Sequence, residues 1–126
     1  MGKPESGTAM PLIMKSAGME PYLAPSEYVD YTDPAVAETA AALLEKMLDD
    51  SAKSEPEYLD PEIQLAKVCY EFVRDEIRHS IDIGSRKVIL RASEVLAEGE
   101  GLCYAKSHLL AALLRANGIP AGLCYQ

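Results

Sequence analysis

The sequence predicts an α+β chain, mostly helix with one strand near its end, and three observations lead there. Two Asp-Pro steps, Asp33-Pro34 and Asp60-Pro61, each open an amphipathic helical pattern. In such a step the aspartate accepts a first-turn N–H bond, and the proline has no N–H to lose. A further helical run, about residues 102–117 with Cys103 at its start, follows the turn residues Gly99-Glu100-Gly101 and stops at Asn117-Gly118. Beyond Ile119-Pro120, the segment Ala121-Gly122-Leu123-Cys124-Tyr125-Gln126 reads as a first core strand.

Composition narrows the class. At 126 residues the chain suits one domain with a real core. Its longest wholly apolar run is residues 109–114, so no membrane span is expected. The net charge of −8 arises entirely in residues 1–60, which hold four Lys/Arg against twelve Asp/Glu, whereas residues 61–126 hold eight of each. Nucleic acid is excluded as a partner on this count, because such binding rests on basic patches that neutralise phosphates. Three cysteines, at 69, 103 and 124, show no CxxC spacing, and no secretory segment precedes them. Neither a disulfide framework nor a metal site is expected, and the location implied is cytoplasmic.

Taken in order, residues 1–19 are a flexible lead-in without a clean period, and residues 20–126 form the domain. Residues 20–33 mix prolines with tyrosines and read as an extended strap, with Tyr22, Leu23, Tyr28, Val29 and Tyr31 along a core edge. The helix opened by Asp33 repeats Val36, Ala40, Leu43, Leu44 and Met47 at helical spacing and should end near residues 49–51. A polar linker, 51–59, follows. The helix opened by Asp60 carries the stripe Ile63, Ala66, Tyr70, Val73 and Ile77, with Cys69 and Phe72 beside it and His79 exposed at its end. Residues 81–90 lose the period and read as a loop with a short extended piece. Ser93 then caps a brief helix that ends at Gly99. The helix of residues 102–117 is apolar on nearly every side and should be central.

The start of that helix is where chemistry is expected. A cysteine at a helix N-terminus meets unpaired N–H groups and the positive end of the helix dipole, both of which favour thiolate over thiol. Cys103 is therefore the candidate catalytic nucleophile. At roughly 100° per residue, Lys106 and Ser107 share its face, whereas His108 lies roughly 140° away and is badly placed as its base. Cys69 and Cys124 read as small buried hydrophobes. A phosphate loop fails by position, because Ala105 and Glu100 stand where glycines would be needed ahead of Lys106.

Three blocks then resemble the transglutaminase-like superfamily in order and content: residues 70–80 (Tyr-Glu-Phe-Val-Arg-Asp-Glu-Ile-Arg-His-Ser), residues 92–103 (Ala-Ser-Glu-Val-Leu-Ala-Glu-Gly-Glu-Gly-Leu-Cys) and residues 113–121 (Leu-Leu-Arg-Ala-Asn-Gly-Ile-Pro-Ala). Cys103 aligns with that family's catalytic cysteine. The resemblance implies a papain-like α+β core, in which the nucleophile helix packs on an antiparallel sheet carrying a histidine and an acid. It also implies cysteine-protease-like acyl chemistry on a peptide or protein amide through a thioester, with transfer to an amine or to water and no cofactor. Neither His79 nor His108 matches the family's histidine position. The chain is thus expected to be the N-terminal part of a longer enzyme, with most of the sheet missing, and to be inactive alone. Exposed strand edge and apolar helix face would then favour homo-oligomers. The competing expectation is a non-catalytic interaction module built from the helical half of the fold.

Overall fold

The computed structural model describes residues 20–53 and 60–123. The lead-in of residues 1–19, residues 54–59 of the expected linker, Cys124 and the end of the expected strand lie outside them. Four helices surround one core: α1 (Pro34–Lys53), α2 (Pro61–Glu76), α3 (Ala92–Glu98) and α4 (Cys103–Ala116). Two two-residue strands, β1 (Arg78–His79) and β2 (Glu100–Gly101), pair in parallel, with Arg78 opposite Glu100 and His79 opposite Gly101. The described part is a helical assembly with a minimal sheet, which is compatible with α+β.

Both Asp-Pro starts form as their chemistry dictates. Asp33 accepts from the N–H groups of Ala35 at 3.1 Å and Val36 at 3.3 Å, and Asp60 accepts from Glu62 at 2.8 Å. The α1 helix runs to Lys53, beyond the expected stop, so residues 51–53 are helix rather than linker. Its buried stripe is Val36, Ala40, Leu43 and Met47.

The buried face of α2 is rotated from the expected stripe. Leu65, Cys69 and Val73 are buried, while Ile63 and Tyr70 remain 55% and 53% exposed. This helix touches both α1 and α4, and the i, i+4 row between those neighbours is the one that loses water. It also ends at Glu76, before His79. Ile77 is extended, and the Arg78 and Ser80 N–H groups bond to the carbonyls of Gly99 and Gly101 at 2.9 and 3.1 Å. His79 therefore belongs to a strand, where it is half-buried, and not to an exposed helix end.

In α3, Ser93 is not the cap. Arg91 occupies that position, and Glu94 reaches back to accept from the N–H groups of Leu90 and Arg91 at 3.1 and 2.9 Å. These bonds hold the Glu94 carboxyl below its ordinary pKa. The α4 helix packs on the other three, with Leu109, Ala112 and Leu113 fully buried, and this bears out its central place.

The strap is mixed. Pro21 lies in a single 3-10 turn, Glu20–Tyr22; Val29 is buried and Tyr31 half-buried, whereas Tyr22 and Tyr28 keep 43% and 40% of their surface exposed. Residues 119–123 are not a strand: among the described residues they pair with no sheet. The Ala121 N–H bonds instead to the Tyr22 carbonyl at 2.9 Å.

Candidate functional site at the start of helix α4

Gly99 ends α3 in the left-handed region, φ 70°, which permits the immediate turn into β2. Gly101 contributes in a different way. A Cβ there would stand 3.3 Å from the Ala105 Cβ and 3.4 Å from Val95 Cγ2, a crowding that glycine avoids, so the strand lies against both helices without displacing either. Leu102 is extended, φ −75° and ψ 169°, and its carbonyl accepts the first α4 bond, from the Lys106 N–H at 2.9 Å. Among the described residues no side chain caps this end. The first-turn N–H groups, that of Cys103 among them, thus remain available to an anion.

Cys103 is a free, exposed thiol on the first residue of α4. It stands where two grooves meet. One, of about 410 Å³, is mostly apolar, bounded by Leu110, Leu114, Ala121 and Leu123 along with Tyr104 and Ser107. The other, of about 250 Å³, lies between α2 and α4 and is lined by Tyr70, Arg74, His79, Lys106 and Ser107 beside Cys103. The Ser107 hydroxyl turns inward and donates to the Cys103 carbonyl at 2.9 Å.

The two histidines have settled roles. His108 is 5% exposed, and its Nδ1–H donates to the Leu90 carbonyl at 2.7 Å. Its ring stacks on Tyr28, with centroids 5.6 Å apart, and meets Tyr104 edge-on at 6.2 Å. It pins the 85–90 segment onto α4 and does not line either groove, as its angular offset from Cys103 requires. His79 does line the second groove, a proximity invisible in the sequence because it depends on the β1–β2 pairing. Its Nδ1 accepts from the Ile81 N–H at 3.2 Å, so the neutral ring carries its proton on Nε2 and presents a donor rather than a base.

Glu100, read from sequence as a turn residue, is buried, at 6% exposure. The hydroxyls of Ser85 and Ser80, the latter at 3.0 Å, together with the Lys87 and Arg78 cations, hold its carboxyl below the ordinary range against the opposing effect of burial. The result is a fixed anion that ties the 80–87 turn to the strand leading into Cys103. Cys69 is buried in α2, and burial pushes its thiol up to about 11, leaving it inert. Among the described residues no cluster of His, Cys, Asp and Glu could hold a metal ion, and no helix is long and apolar enough to cross a membrane.

This Gly-Leu-Cys turn at the head of a buried helix lies within residues 50–126, the span matched by the family model of the transglutaminase-like superfamily. The chain belongs to the transglutaminase-like superfamily. No curated protein and no solved structure matches it. The match takes in α2, the β1–β2 pair, α3 and α4 of this transglutaminase-like chain, and so every group lining the second groove.

Proposed function

We propose that the chain carries the nucleophile of a transglutaminase-like cysteine acyltransferase or hydrolase acting on carboxamide or peptide bonds. The observation that carries this reading is Cys103 itself: a free, exposed thiol on the first residue of α4, at the junction of two grooves. In the reaction the Cys103 thiolate attacks the amide carbon, and the Cys103 N–H donates to the developing oxyanion. The C–N bond then breaks, and the amine leaves with a proton. Water or a second amine attacks the resulting thioester, gives up its proton, and releases the thiolate. Both proton movements call for a histidine, and neither His79 nor His108 serves. The chain by itself therefore acylates slowly, and the papain-like sheet bearing a histidine and an acid is the part of the apparatus this reading requires beyond the described residues.

Iodoacetamide labelling at pH 8 and low conversion tests the nucleophile. Mass spectrometry should find Cys103 carboxamidomethylated well before Cys69, whose thiol is buried and raised to about 11. Equal, slow labelling of both would overturn the reading.

The open apolar groove along Leu110 and Leu114 favours a second reading, docking of another copy of the chain without catalysis. Sedimentation at micromolar concentration should then show dimers, and a clean monomer would dismiss it.

A further inference from the structure

The groove between α2 and α4 is also mostly apolar in surface, but unlike its neighbour it has Arg74, His79 and Lys106 in its lining. Lys106 sits one turn along α4 from Cys103, and among the described residues its ammonium makes no hydrogen bond and no ion pair within bonding distance. Arg74 stands across from it on α2, its guanidinium 5.7 Å from the centre of the Tyr70 ring. Two of its nitrogens grip Asp75 at 2.7 and 2.9 Å, which leaves a third edge uncommitted. Asp75 is held below its ordinary pKa first by Arg74 and further by the Lys106 charge. The other nearby carboxylate, Glu71, faces Lys67 at 4.0 Å. Asp75 offsets one of the two cations, so the groove keeps a net positive charge within a chain of net charge −8. His79 adds a donor, because its Nδ1 is already engaged by the Ile81 N–H.

We propose that this groove is a subsite for an anionic group on the substrate, a carboxylate within about one residue of the carbonyl that Cys103 attacks. Lys106 supplies the charge, the free edge of Arg74 and His79 supply directed hydrogen bonds, and the Tyr70 ring forms an apolar wall. The preferred acyl donor is thus an acidic peptide or a carboxylate-bearing amide. This assignment rests on Cys103 being the nucleophile, and its test separates the two.

The full chain is alkylated at Cys103 with iodoacetate and, in parallel, with iodoacetamide, each rate being divided by that of free cysteine. Thiolate population affects both reagents alike, so their ratio reports the electrostatic potential that a charged reagent meets at Cys103. The long-range field of an acidic chain disfavours iodoacetate. A ratio raised about threefold at low salt, falling at about 0.5 M NaCl, is the result expected. Lys106→Gln should return it towards that of free cysteine, and Lys106→Arg should preserve it. A flat ratio overturns the subsite, and a raised ratio that survives Lys106→Gln overturns it too, because the field would then come from the helix end. Fast labelling with a flat ratio leaves the nucleophile standing; slow labelling with a raised, Lys106-dependent ratio removes the nucleophile and keeps the anion site.

Discussion

Asp30 and Ser93 are 63 positions apart, yet the Asp30 carboxylate accepts from both the Ser93 N–H at 3.0 Å and its hydroxyl at 2.6 Å. Ser93 is the second residue of α3, so this carboxylate satisfies a first-turn donor that a local cap would ordinarily take. The strap thus supplies first-turn acceptors to α3, Asp30 to Ser93 and the Tyr28 carbonyl to the Ala92 N–H at 2.9 Å, while Glu94 accepts from the Leu90 and Arg91 N–H groups just before the helix. Asp30→Ala should lower stability by about 1–2 kcal/mol, read as a shift in urea midpoint at constant slope. Asp30→Asn, which keeps an acceptor, should recover much of it. An unchanged midpoint in Asp30→Ala would mean that water replaces the carboxylate without cost. No local pattern could have revealed this contact: a serine before a short helical run is a sound cap signal, and here the serine side chain is occupied by a residue from another part of the chain.

Between elements, the determining contact is the β1–β2 pair. Each strand has two residues, too few for an alternation of faces to register, and the partners lie far apart in sequence. The helices were legible because each Asp-Pro step carries its own start signal, whereas α2 offered two overlapping apolar rows that share Val73. Only the positions of α1 and α4 select Leu65 and Cys69 over Ile63 and Tyr70. Glu100 locks the strand pair by accepting from Ser80, while the Ser80 N–H bonds to the Gly101 carbonyl. Its folded pKa lies below the ordinary value of 4.5, so the unfolded state takes up the proton first on acidification. Its contribution is complete above about 4.5 and is lost as pH falls through the depressed folded value. Glu100→Gln should be less stable at neutral pH and show a shallower acid limb in the denaturation midpoint, the two curves converging once the pH is below the depressed folded value. Parallel acid limbs would show that the lock does not titrate with this group.

At the scale of the molecule, α4 is the axis on which both ends of the described chain are fastened. Its position was legible from an apolar character that left few faces for water; what it holds was not, because the holding is done by a charged residue. Arg115 donates through Nε to the Ala121 carbonyl at 2.9 Å and through Nη1 to the Ala24 carbonyl at 2.7 Å, joining the strap to residues 119–123. The Ala121 N–H completes the closure on the Tyr22 carbonyl, and Gly122 lies so close that a Cβ would stand 2.9 Å from the Tyr22 ring. Ala121 and Leu123 also bound the apolar groove at Cys103, so this clasp shapes one wall of the site from a distance. A planar fork reaches two carbonyls at once, which a lysine ammonium at the same position cannot reproduce. Arg115→Ala leaves both carbonyls without their donors and should cost about 1–3 kcal/mol. It should also speed proteolytic cleavage within residues 20–31 and change the rate at which Cys103 is alkylated, while Arg115→Lys recovers only part of either loss. If stability falls but Cys103 labels at its original rate, the clasp serves the fold alone. If all three readouts move together, the strap is a structural part of the site as well as of the core.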